Sequence, residues 1–202
     1  MLRLDHVAVA CAALADGAEA VEAVLGVPLA PGGEHAAMGT HNRLLSLGAQ
    51  EYLEVIAINP AAPAPGRPRW FDLDRFDGAP RLASWVCACD DMEAALAACP
   101  EGTGVPMDLA RGDLRWEMAV PEDGRLPFDG VFPALIRWQG PTPAPRLPDQ
   151  GVRLTGLRLS HPRADSLRAA LAGLLDDPRL NVTAGAPGLS ATFSTPHGVR
   201  QL

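Results

Sequence analysis

The absences in this chain narrow its function first. No apolar run reaches the roughly 18 to 20 residues that cross a bilayer, and the N-terminus carries neither the basic region nor the long apolar core of a signal peptide. A cytoplasmic location, away from membranes, is the expectation. No stretch is rich in Lys and Arg and the formal net charge is -7, so the chain offers no electrostatic footprint to the phosphates of a nucleic acid. Cysteine is scarce. Cys11, Cys87, Cys89 and Cys99 have no CxxC spacing and read as reduced core residues. The glycines of "GVPLAPGG" (26 to 33) come without a lysine or GxGxxG spacing, which excludes a nucleotide loop, and no Ser or Cys sits in a GxSxG-type nucleophile turn.

What is present is a chain of ordinary globular make-up, 48% hydrophobic and 20% charged over 202 residues, enough to bury a sizeable core. "RLDHVAVA" reads as a strand. "ADGAEAVEAVLG" (15 to 26) reads as a helix stopped by Gly26, "HAAMGTHNRLLSL" (35 to 47) as two short extended runs broken near Gly39, and "EYLEVIAI" (51 to 58) as a further strand. The proline-dense "NPAAPAPGRPRW" (59 to 70) cannot continue a sheet and must connect. The pattern then restarts with "RLASWVCACDD" as strand, "MEAALAAC" as a short helix capped by Asp90 or Asp91, and three extended pieces, "VPMDLARG", "LRWEMAVP" and "FPALIRWQG".

The result is a β-α-β-β-β unit repeated at a period of about 80 residues. We read residues 1–60 as the first module, 61–80 as a Pro-rich connector, 81–140 as the second module and 141–202 as a partial third module with one amphipathic helix, all within one compact domain. The fold class is α+β, built from repeated β-α-β-β-β modules.

Two polar residues stand inside strands that otherwise alternate or stay apolar: His6 in "LRLDHVAVAC" and Glu54 in "EYLEVIAI". Repeated β-α-β-β-β modules with His on the first strand and Glu on the last resemble the vicinal oxygen chelate superfamily, which includes glyoxalase I, extradiol dioxygenases and bleomycin-resistance proteins. "LDHVAVA", "LGVPLAPGGEHAAMGTHNRLLSLG" and "YLEVIAINP" are similar to the glyoxalase-like domain proteins of bacteria.

The resemblance implies curled mixed sheets around a cleft, with His6 and Glu54 as cross-strand neighbours on its concave surface. There they are either two ligands of a divalent metal or an ion pair, with Glu54 alternatively held by backbone or by Arg43. A third ligand is available in "THNRL", where strand register decides between His41 and Asn42. The set His6, His41 and Glu54 suits Zn, Fe, Mn or Ni. In the second module the resemblance expects a matching pair, but Trp85 (or Ser84) stands opposite His6 and Leu135 opposite Glu54. The third module offers only Gly156 or Leu157.

Asn42, Trp85, Arg115 and Arg137 are the candidate substrate-binding residues, while Trp70, Trp116 and Trp138 either line an aromatic pocket or pack the core. His35, His161 and His197 read as surface groups. With His6 and Glu54 as the catalytic residues, the resemblance implies metal-assisted lyase, isomerase or dioxygenase chemistry on a small oxygen-rich metabolite. The alternative is a metal-free small-molecule binding protein of the bleomycin-resistance type, and a homodimer is a further implication of the resemblance.

Overall fold

The structure is a computed structural model describing residues 1–202. The first module comprises β1 (Arg3–Ala10), α1 (Leu14–Leu25), β2 (Ala30–His35), β3 (Thr40–Ser46) and β4 (Tyr52–Ile58). The second comprises β5 (Arg81–Ala88), α2 (Met92–Ala98), β6 (Val105–Arg111), β7 (Leu114–Val120) and β8 (Ala134–Trp138). Together they form an eight-stranded sheet in the order β2-β3-β4-β1-β5-β8-β7-β6. Each module places its first strand parallel to its last, β1 against β4 and β5 against β8, and the two modules join through the antiparallel pair β1–β5.

Local signals act where the sequence places them. Gly26 ends α1 in the left-handed region, at φ 74°, and Asp91 caps α2 by accepting from the backbone N–H of Ala94. Strand β2 differs from expectation because it begins at Ala30 and takes in "APGGEH". An edge strand tolerates Pro31 and two glycines, and its pairing with β3 is irregular between Pro31 and Glu34.

The remaining strands are β9 (Arg153–Ser160), β10 (Leu180–Thr183), β11 (Gly188–Thr195) and β12 (Gly198–Gln201), with α3 (Ala164–Leu171) after β9. They form a separate sheet ordered β10-β9-β11-β12. The order of elements again reads β-α-β-β-β, but β9 now pairs directly with the strand that follows its helix, so the wiring is not that of the first two modules. No helix is long and apolar enough to cross a membrane.

The large sheet buries both faces. One face packs under α1 and the second sheet, in a cluster that joins Val7, Trp85, Cys87 and Leu135 to Leu154, Leu167 and Phe193. The other face curls inward around Ile56, Val86, Met118 and Ile136 and is closed at one side by Trp70, Phe71 and Leu73 of the connector. The curl is tight enough that Arg111 on edge strand β6 reaches residues of β2 and β3 at the opposite end of the sheet.

Candidate functional site

A β-bulge between Leu4 and His6 breaks the alternation of β1. Leu4 therefore belongs to the helix-covered core, while Asp5 and His6 together serve the inner face. Strand β4 lies beside β1 with Tyr52 next to His6 and Glu54 next to Ala8, which brings His6, Tyr52 and Glu54 to one cavity. The β3–β4 register pairs Leu44 with Glu54 and Asn42 with Ile56. Asn42 accordingly shares the inner face with Glu54.

These side chains form two hydrogen-bonded groups that face each other in an apolar setting. Asp5, His6, Asn42 and Glu54 are each no more than 5% exposed. Trp138 Nε1 donates to Asp5 Oδ1 (2.9 Å), and His6 Nδ1 donates to Asp5 Oδ2 (2.7 Å). That leaves His6 Nε2 facing Glu54 Oε2 at 3.7 Å, while Asn42 Nδ2 donates to Glu54 Oε1 (2.5 Å). Asn42 is aimed in turn by the Gly33 N–H (2.9 Å) and by Arg111 (3.1 Å), both donating to its Oδ1. The His6 ring stacks on Tyr52 with centroids 4.4 Å apart, and burial pushes the Tyr52 phenol well above its ordinary range. Trp70, Phe71, Trp116, Met118, Ile136 and Trp138 complete a cavity of about 30 Å3.

His35, which reads as a surface group in the sequence, is buried in this network. Burial, followed by the nearby charge of Arg111, lowers its pKa to about 3, so the ring is neutral. Its Nε2 accepts from Arg111 (3.2 Å), which places the ring proton on Nδ1 for donation to Thr40 Oγ1 (3.0 Å).

Several sequence-derived candidates lie elsewhere. His41 is on the opposite face of β3, across from Glu34 of β2, and the exposed Arg43 shares that face. Trp85 is wholly buried against the helices and donates to the Val131 carbonyl, because the β1–β5 register sets Val86, not Trp85, opposite His6. Ile136 in turn takes the place of Glu54, and Leu135 faces the outer core. A shift of one residue exchanges faces, which is why the alignment of strand sequences misplaced both. Arg115 donates to the carbonyls of Gly112 and Leu114, and Arg137 pairs with Glu117 (2.8 Å) in an exposed hollow beside α2; neither lines the cavity. His161 is also buried, against Asp129, whereas His197 is exposed as expected.

Asp5, His35 and Arg111 are the site residues the sequence did not disclose. The bulge hides Asp5, and Arg111 arrives only through closure of the sheet. No cluster of three or more His, Cys, Asp or Glu side chains is arranged to hold a metal. His6 Nε2 and Glu54 Oε2 are two facing potential metal ligands, one short of the three protein ligands of a catalytic metal site, and with His41 on the other face of β3 the His6–His41–Glu54 set is not assembled.

Residues 4–175 match the glyoxalase-like domain family. No curated protein matches the chain. Among solved structures, a hypothetical protein from Staphylococcus aureus superposes with a TM-score of 0.59 at 11% identity, covering 93% of this chain and 86% of that one. A methylmalonyl-CoA epimerase from Mycobacterium tuberculosis aligns with a TM-score of 0.43 at 19% identity over 69% of this chain and 88% of its own. One from Streptomyces coelicolor, in complex with 2-nitronate-propionyl-CoA, aligns with a TM-score of 0.43 at 15% identity over 67% and 95%. The family match spans most of the chain, and the paired modules curl around a cleft as the resemblance implied: the protein belongs to the glyoxalase-like domain family of the vicinal oxygen chelate superfamily.

Proposed function

We propose that this protein is an isomerase or lyase acting by proton transfer on a small oxygen-rich metabolite, with Glu54 and His6 as the acid–base pair. The observation that carries this reading is the approach of His6 Nε2 to Glu54 Oε2 at 3.7 Å across a buried cavity. In the tautomer that puts the ring proton on Nδ1 for Asp5, Nε2 is an acceptor, and so is a Glu54 carboxylate oxygen. Two acceptors facing one another in an apolar cavity, too far apart to bond directly, are placed to take a proton from a third molecule and return it. Asp5 fixes the tautomer and steadies positive charge on the ring, while Asn42 holds Glu54 by its other oxygen. Arg111, which has no carboxylate partner, is placed to offset negative charge developing on a substrate oxygen.

Metal-dependent versions of the reaction need a donor beyond His6 and Glu54, and the second-module positions that could supply it hold Val86 and Ile136. No step is therefore routed through a metal. Those same apolar positions favour the second reading, a metal-free small-molecule binding protein. The walls of the cavity come from both modules of one chain.

The test is exchange of carbon-bound hydrogen for deuterium, followed by proton NMR in D2O over a panel of 2-oxo acids and hydroxyketones. We expect exchange by the parent protein and a fall of at least about a hundredfold in Glu54→Gln. Binding without exchange would establish the second reading, and equal exchange by parent and variant would overturn the first.

A further inference from the structure

The cavity at His6 and Glu54 admits the reacting atoms of a substrate and not a whole metabolite, so the body of the molecule must lie outside it. A larger hollow of about 460 Å3 shares one wall residue with it, Phe71. Three parts of the chain meet at this hollow: the connector at 71–76, the second module at 81–83 and 125–131, and the start of β11 at 187–189. Leu82, Leu126 and Val131 contribute buried apolar surface.

The charges around the hollow are unequal. Asp72 is engaged by Arg75 (2.5 Å) and by Arg125 (3.2 Å), and Asp129 by His161 (3.0 Å), so both carboxylates of the wall have partners. Arg81 has none. Its guanidinium donates to the Asp77 carbonyl (2.6 Å) and lies 4.2 Å above the ring of Phe76, which leaves much of its donor fork free in a chain of net charge -7. The backbone beside the hollow is also strained. Phe71 and Asp72 (φ 58° and 55°) and Phe128 and Asp129 (φ 56° and 53°) all occupy the left-handed region that non-glycine residues avoid, a condition that gathers at ligand sites.

Resting on the proposed proton-transfer reading, we infer that this hollow is the outer chamber of the same site and takes a small organic carboxylate with an apolar body. The carboxylate docks on Arg81, the apolar frame covers Leu82, Leu126 and Val131, and the reacting end meets Phe71, the partition from the inner cavity.

Isothermal titration calorimetry on the full chain tests this with 4-phenylbutanoate, 4-phenylbutanol and phenyl phosphate. The carboxylate is expected to bind more tightly than the alcohol and the phosphate, and Arg81→Gln to weaken it about tenfold with no change for the alcohol. Arg81→Lys keeps the charge and loses the fork, so it falls between parent and Arg81→Gln and serves if Arg81→Gln does not fold. Equal affinity for acid and alcohol, or an unchanged affinity in the Arg81 variants, overturns the assignment. Preference for phenyl phosphate overturns the carboxylate class, and absence of heat from both anions overturns the chamber. Calorimetry reads occupancy and not turnover, so failure of the exchange chemistry leaves this result independent.

Discussion

Asn42 is the hinge between the two halves of the polar network. Its amide takes the Gly33 N–H and Arg111 on one side and holds Glu54 on the other. Replacing it with leucine leaves the Gly33 N–H and one Glu54 oxygen buried without those partners, so Asn42→Leu is expected to lose about 1–3 kcal/mol of stability, measured by urea denaturation. His35 carries a pH signature of its own. Its folded pKa, about 3, lies below the ordinary 6.5, so between those values the unfolded chain binds the extra proton. The stability that depends on a neutral His35 is fully present above pH 6.5 and is lost as pH falls toward 3. The slope from this one group approaches about 1.4 kcal/mol per pH unit. Denaturation between pH 7 and pH 4 should show a shallower fall in His35→Gln than in the parent; parallel curves would remove His35 as the cause.

Edge strand β2 holds the site by close approach and not by hydrogen-bond regularity. A Cβ built on Gly32 would lie 2.1 Å from Asn42 Oδ1 and 2.3 Å from its carbonyl oxygen. Gly32→Ala must therefore push β2 away from β3 and turn Asn42 off Glu54. A loss of about 1–3 kcal/mol accompanied by reduced exchange activity is expected, and a variant with parental melting temperature and rate would show that the strand yields freely. Helix α2 matters through its brevity. It buries only Met92, too little to cover the outer face of the second module. The second sheet takes over, laying Leu154 and Phe193 into the core that contains Trp85 and Leu135.

This division of labour makes the third part of the chain structural for the whole molecule. Arg179, just before β10, clamps Glu51 at the entry to β4 through two hydrogen bonds (2.7 and 2.6 Å), tying the last segment to the first module. We therefore propose that residues 1–202 unfold as one unit. Phe193→Ala, at a fully buried position, is expected to cost about 3–5 kcal/mol and to lower the single transition seen by calorimetry and circular dichroism together. Two separated transitions would instead make residues 141–202 an independent domain.

Local chemistry was enough to reveal the repeated modules, the stop at Gly26, a cap at Asp90 or Asp91 and the oddity of a histidine and a glutamate at the centre of largely apolar strands. Each of those rests on periodicity, backbone freedom or the cost of burying charge, all readable over a few residues. Strand register, the bulge at Asp5 and the closure that carries Arg111 to Asn42 depend on partners distant in the chain. A pleated strand changes face with every residue, so a slip of one position sent Trp85 and Leu135 to the outer core and gave Val86 and Ile136 the inner one. Which polar groups meet at Glu54 was decided by that geometry and by the curl that joins the two ends of the sheet.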